Sequence, residues 1–280
     1  MHDEHFVTSG FADEISADLE TQLDTLERLG ISRLDLRGVE DTNVLDFSND
    51  QVERVRNALD ERGIEVTSIG SPIGKIGIED DFDPHFERFE TALERAHQFD
   101  TEYVRLFSYY IPDGDNPADH REEVLRRMQR KADRAAKAGV TILHENEKDI
   151  YGDTPGRCRD LLTSVDSGAF GAIFDPANFL EIGVEPYPAA LLDVVEYVEQ
   201  LHVKDARFGE RGAIEPAGQG DGSIPAILEA LGRRGFQGAA SLEPHLAHAG
   251  EKGGFSGPEA YEVATEALRE CYDEAGVSYE

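Results

Sequence analysis

The chain has 280 residues, 39% of them hydrophobic, which is enough for a packed core and argues against wholesale disorder. Its 58 Asp and Glu outnumber 27 Lys and Arg, a formal charge of −31. That balance excludes the basic stripe of a nucleic-acid binder and any attraction to an anionic membrane surface.

Only six of the basic residues are Lys. An acidic, Lys-poor surface is expected of a protein from a salt-saturated cytoplasm. Molar salt, with a Debye length of about 3 Å, screens the self-repulsion that such a charge creates. Full folding and equal stability without salt would refute a halophilic source. Cys158 and Cys271 form no CxxC, so neither a disulfide scaffold nor a cysteine zinc site is expected. The stretch Met1-His2-Asp3-Glu4-His5 has neither the basic nor the apolar region of a signal peptide. No apolar run reaches the roughly 18 residues of a membrane span. The expectation is a soluble, cytoplasmic protein.

In chain order, short β-rich apolar runs alternate with longer segments of helical period. The runs are Phe6–Phe11, Arg33–Leu36, Glu65–Ile69, Tyr103–Phe107, Val140–His144, Ala172–Phe174, Glu199–Val203 and Ala239–Leu242. The amphipathic segments are Asp18–Leu29, Asn49–Arg62, Pro84–Phe99, Pro117–Ala138, Thr154–Val165, Pro186–Val198, Ser223–Arg234 and Gly257–Ala275. Asp153-Thr154-Pro155 reads as a helix cap followed by proline in the first turn. Gly30, Gly63 and Gly139 each end a helical segment before a strand, as left-handed C′ residues do. Eight repeated βα units without a linker predict one domain over residues 1–280, a (β/α)8 barrel. Residues 276–280 are expected to fray.

Active sites of such barrels lie at the C-terminal ends of the strands. The last four runs each meet an ionisable residue there, in Leu143-His144-Glu145-Asn146, Phe174-Asp175-Pro176, Leu201-His202-Val203-Lys204-Asp205 and Leu242-Glu243-Pro244-His245. Unpaired charges converging at a barrel mouth are costly, and a divalent cation relieves them. Glu145, Asp175, His202 and Glu243 make three carboxylates and one imidazole, a set that favours Mn²⁺, Mg²⁺ or Co²⁺. Zn²⁺ and Fe²⁺ satisfy the same ligand types. No organic cofactor is expected.

These motifs, with the loop Gly218-Gln219-Gly220-Asp221-Gly222, also carry a resemblance over nearly the whole chain. The sequence resembles the sugar-phosphate isomerase/epimerase superfamily, with its xylose-isomerase-like TIM barrel. The resemblance implies one divalent ion held by Glu145, Asp175, His202 and Glu243. It also implies proton transfer beside a carbonyl through an enediolate, with Glu145 and Glu243 as base and acid. Return of the proton to the same carbon is epimerisation; return to its neighbour is isomerisation. The implied substrate is a sugar, a sugar phosphate or a related keto-polyol.

Around this set, Asp205, Asn146, Asn178 and His245 are candidates to orient a ligand or a substrate hydroxyl. Lys204, Arg207, Arg211 and Lys75 are candidate contacts for an anionic group. The glycine loop reads as a structural turn, because Asp221 would repel a phosphate and the Walker pattern is lacking. Size selection falls to the loops Ser108–Pro117 and Arg207–Ala217, and a homo-oligomer is allowed.

Three other readings compete. One is a lyase, a dehydratase of a cyclic hydroxy-acid such as a dehydroshikimate-like substrate, since abstraction beside a carbonyl begins both reactions. Another is a repair endonuclease with three zinc ions; Asn178 where a further histidine would be useful, and the charge of −31, oppose it. The last is a non-enzymatic sugar-binding barrel.

Overall fold

The computed structural model describes residues 5–246 and 256–280. The N-terminal stretch read above against a signal peptide lies, apart from His5, outside the described residues. Eight parallel strands form the barrel: β1 (Val7–Gly10), β2 (Arg33–Leu36), β3 (Glu65–Ile69), β4 (Tyr103–Leu106), β5 (Thr141–Glu145), β6 (Phe170–Phe174), β7 (Val198–Val203) and β8 (Ala239–Leu242). Each hydrogen-bonds its sequence neighbour from β2 through β8, and β8 pairs with β1. The barrel is nearly closed. β1 and β2 lie side by side, bridged by the Ser9 hydroxyl donating to Asp35 (2.8 Å) rather than by a backbone ladder.

The helices α1 (Leu19–Leu29), α2 (Asn49–Arg62), α3 (Phe82–Gln98), α4 (Pro117–Ala138) and α5 (Pro155–Ser164) follow the first five strands. Asp18, Ser48 and Asn116 cap α1, α2 and α4 by accepting backbone N–H groups. Gly30, Gly63 and Gly139 end these helices with φ of 70°, 65° and 70°, a conformation that lets the chain reverse into the next strand. Pro155 opens α5 as expected, but the Thr154 hydroxyl makes no capping bond.

The sixth unit departs from the sequence expectation. A short helix, α6 (Pro176–Leu180), follows β6 directly. The predicted helix Pro186–Val198 is instead a broken run whose only α-helical turn is α7 (Leu191–Val194). Pro188 keeps Tyr187 extended (φ −131°, ψ 139°), so no helix passes through it. The last helices are α8 (Ile224–Gly232) and α9 (Gly257–Ala275).

The tail is a correction. Residues expected to fray lie along the free edge of β1: Phe6 N–H donates to Ser278, Thr8 N–H to Glu280, and Glu280 N–H returns to Phe6, all at 2.8–3.0 Å. Tyr279 stacks on Tyr272 of α9, ring centroids 4.3 Å apart. The unclosed seam offers the edge, and a strand-like tail satisfies its backbone groups.

Among the described residues no helix is long and apolar enough to cross a membrane. Arginines on the surface bind several carboxylates at once; Arg62 meets Glu20, Asp24 and Glu27 at 2.5–2.6 Å.

Candidate active site

Barrel closure brings the four strand-end residues together. Glu145 ends β5, Asp175 follows β6, His202 lies in β7 and Glu243 follows β8. All four are buried, and one donor atom from each lies within 4.8 Å of the others. Asp175 is fixed from both sides. Its Oδ1 caps α6 by accepting from Asn178 N–H (3.0 Å), and Asn146 brackets its backbone, accepting from its N–H (2.9 Å) and donating to its carbonyl (2.8 Å). Asn178 also donates to Glu145 Oε1 (3.3 Å). Both asparagines thus act on the geometry of the acidic residues, the first by the backbone and the second by the side chain.

The two glutamates divide their oxygens. Glu145 Oε1 and Glu243 Oε2 approach His202 Nδ1 (3.3 and 3.8 Å). Their other oxygens, Glu145 Oε2 and Glu243 Oε1, face Arg105 Nη1 (3.2 and 3.6 Å). Lys204 Nζ lies 2.9 Å from Asp175 Oδ2 and 3.2 Å from Glu243 Oε2. Arg37 donates to Glu243 Oε1 (2.8 Å) and to Asp13 (2.7 Å), and approaches Glu14 (3.3 Å). Phe11 packs its ring against both guanidinium groups and edge-on to His202.

The electrostatics follow. Burial pushes the Glu145 carboxyl up, but the charges of His202 and Arg105 outweigh it and hold it at about 2. Burial raises Asp175 to about 6 against the pull of Lys204. Burial disfavours the charged forms of Lys204 and His202, yet the carboxylates raise both. The cations therefore hold together three carboxylates that repel one another. Neither ring nitrogen of His202, fully buried, makes a hydrogen bond, and Nδ1 is the one that faces the glutamates. Three carboxylates and an imidazole with an orphaned nitrogen, all within one ion's reach, fit a divalent cation. Its binding would require neutral His202 and so release a proton.

The remaining predicted residues separate. His245 lies beside the cluster, its Nε2 3.3 Å from Glu14 and 3.5 Å from Glu243. Lys75 stands at the mouth, 3.1 Å from Glu147 and over the Phe107 ring. Asp205 does not face the site, which corrects the expectation that it orients a ligand or substrate. Its carboxylate accepts N–H bonds from Gly218, Gly220 and Gly222 at 2.8–3.0 Å. The glycine loop is thus a structural turn around the chain's own anion, and a Cβ on Gly220 would fall 2.3 Å from Asp205 Oδ1. Arg207 pairs outward with Glu215 (3.0 Å), and Arg211 is exposed against Asp149 (2.9 Å).

Arg37, Arg105 and Glu14 were not found by sequence reasoning. Arg105 had a signal, a charge inside the apolar strand Tyr103–Leu106. Arg37 follows β2 in the same strand-end position that identified the acids. Glu14, in the turn after β1, had none.

The family model described as xylose isomerase-like TIM barrel matches residues 24–271, and the chain belongs to that family. Among curated proteins it is similar to a 3-dehydroshikimate dehydratase of Bacillus anthracis, 22% identical over 203 residues, 70% of this chain and 72% of that protein. Among solved structures it is similar to a probable 3-DHS dehydratase from Bacillus anthracis involved in petrobactin synthesis (TM-score 0.76, 19% identity, 95% and 98% of the two chains). It is also similar to the IOLI protein with a zinc atom bound (0.76, 16%, 96% and 99%). A third is D-psicose 3-epimerase from Clostridium cellulolyticum H10 with D-tagatose (0.72, 17%, 97% and 99%). At these identities the structural likenesses establish the fold.

Proposed function

We propose that the chain is a divalent-metal-dependent isomerase or epimerase of a sugar, sugar phosphate or related keto-polyol. Glu145, Asp175, His202 and Glu243 would hold one cation, with Mn²⁺, Mg²⁺ or Co²⁺ favoured by the oxygen-rich set and Zn²⁺ or Fe²⁺ compatible with it. When bound, the cation supplies a Lewis acid for two adjacent substrate oxygens.

The observation that carries the reading is the divided orientation of the two glutamates. Each turns one oxygen toward His202 and keeps the other toward Arg105. The oxygen on the arginine side would lie outside the cation's shell and, once substrate takes over the arginine contacts, is the one to take or return a proton. Because Glu145 and Glu243 come from different strands, one removes the proton and the other delivers it. Arg105, 3.2 Å from Glu145 Oε2, stabilises negative charge on the substrate oxygens during the transfer. The test is elemental analysis for about one divalent ion per chain, then solvent deuterium uptake into a panel of ketoses. No metal after reconstitution with Mn²⁺ or Co²⁺ would overturn the reading.

A second reading, dehydration of a cyclic hydroxy-acid, has about equal support. The similarity to the curated dehydratase favours it. So does the presence of Arg37, Arg105 and Lys204 around the acidic cluster, cations that a carboxylate substrate can pair with. A conjugated product absorbing in the near ultraviolet distinguishes it from isomerisation. The endonuclease reading would require three zinc ions, and the sugar-binding barrel would show metal without turnover.

A further inference from the structure

The opposite end of the barrel carries a cavity. About 700 Å³ in volume, it is lined by residues that begin strands rather than end them: Val7 of β1, Arg33 of β2, Glu65 of β3, Tyr103 of β4, Glu199 of β7 and Ala239 of β8. The volume lies in the range of small-molecule sites. Nothing in the proposed chemistry uses it.

The chemistry of its walls is specific. Phe99, Tyr103 and Phe236 provide aromatic surface. Two of its acids are neutralised, Glu65 by Arg33 (2.8 Å) and Asp100 by Arg56 (3.0 Å). Asp60, Glu102 and Glu199, all exposed, also line it and have no ion-pair partner among the described residues. Burial pushes the Glu199 carboxyl up, and burial, with the two carboxylates adding to it, raises the Tyr103 hydroxyl. At the inner end Gln200, 2% exposed, gives its Nε2 to Asp35 (2.6 Å) and Ser241 (2.7 Å). Its Oε1 accepts nothing. A buried carbonyl without a donor is destabilising, and a donor brought to it relieves that cost.

We propose that this cavity binds a small organic cation, an ammonium or amidinium on a flat apolar body. The cation meets Glu199 and Glu102, its N–H group supplies the donor that Gln200 Oε1 lacks, and its body lies against Phe236 and Tyr103. Aromatic faces attract the same charge. Acids alone would not make a site on a chain of this charge. The concave, half-open volume and the orphaned carbonyl of Gln200, next to Glu199 in β7, mark this cluster.

The chain contains no Trp, so Phe236→Trp installs a single fluorescent reporter in the cavity. Benzamidine and benzylammonium are titrated into the full-length, metal-loaded variant in 0.5 M KCl, where general attraction to an acidic surface is screened. The expected result is a saturable fluorescence change at millimolar probe or below, absent for neutral benzyl alcohol. A reporter at exposed Phe208, outside the cavity, should not respond. Adding Glu199→Gln should weaken binding about tenfold, the 1.4 kcal/mol of a lost charged contact. Calorimetry on the protein without the reporter, with and without Glu199→Gln, covers the case in which Phe236→Trp fills the cavity. Equal affinity for the neutral analogue, indifference to Glu199→Gln, or no saturation by either method overturns the proposal.

Discussion

Two polar layers cross the same barrel bore, and they are built in opposite ways. The inner layer has one carboxylate, Asp35, that accepts from Ser9 (2.8 Å), Ser68 (2.6 Å) and Gln200 (2.6 Å). The outer layer has Glu145, Asp175, His202 and Glu243 within 4.8 Å, held by Arg37, Arg105 and Lys204, with neither ring nitrogen of His202 hydrogen-bonded. The two are about 6–7 Å apart along the strands, since Gln200 and Ser241 precede His202 and Glu243 by two residues. Burial of charge is common to both and therefore marks neither as a site. Neutral donors aimed inward solvate a single buried carboxylate. Three carboxylates in contact repel one another and call for a cation.

The comparison can be broken most sharply from the outer layer. Glu243→Gln keeps the shape and removes a charge and a proton acceptor. Turnover should fall about 10²–10⁴-fold with metal still measurable by elemental analysis. Near-wild-type turnover with metal retained would remove Glu243 from catalysis. Asp175→Ala should abolish the stoichiometric ion altogether.

In the inner layer, Asp35→Ala should cost stability instead, about 3 kcal/mol by urea titration, because three buried donors lose their acceptor. Metal content should not change. Metal loss with unchanged stability would show that the two layers are one unit.

Lys131 of α4 tests whether an unsatisfied buried group is enough to mark a site. It is buried, its Nζ has no hydrogen-bond partner, and it lies over the Tyr109 ring. Burial, helped by Arg127, lowers its amine to about 7 from 10.5. Below pH 7 both states carry the charge, and the folded protein bears the full cost of burying it. Between about pH 7 and 10 the unfolded chain alone keeps the proton, so stability rises with pH. Lys131→Met should stabilise by about 2–4 kcal/mol at pH 6, and by less as pH rises toward 10. Turnover should stay the same. A metal or activity defect would show that isolated buried groups also serve the site.

The smallest expected effect lies outside the bore. Asn116→Ala removes the cap of α4 and should cost about 1 kcal/mol by thermal unfolding, with no change in metal or turnover.

Much of this organisation is local and hence legible. The three helix-ending glycines and the strand-end placement of Glu145, Asp175, His202 and Glu243 follow from periodicity and punctuation, which act over a few residues. Two misreadings came where a neighbour distant in sequence intervenes. Asp205 looked like a site residue by proximity to His202, but a loop 13–17 residues later wraps its carboxylate in N–H groups. The tail looked free because nothing near it in sequence anchors it, yet β1 offers an open edge some 270 residues upstream.

The sequence by itself determined the alternation of strand and helix, the boundaries set by glycine and proline, and the residue types that meet at the barrel mouth. Those depend on dihedral preference and hydrophobic period, which a short segment carries alone. Only the tertiary structure decided which charges neutralise which. Arg37, Arg105 and Lys204 come from β2, β4 and β7, and they reach the acids of β5, β6 and β8 only when the barrel curls round. Closure likewise decided which carboxylate is satisfied by neutral donors and which is left to find a cation, because in the interior the interaction between groups depends on their distance through space.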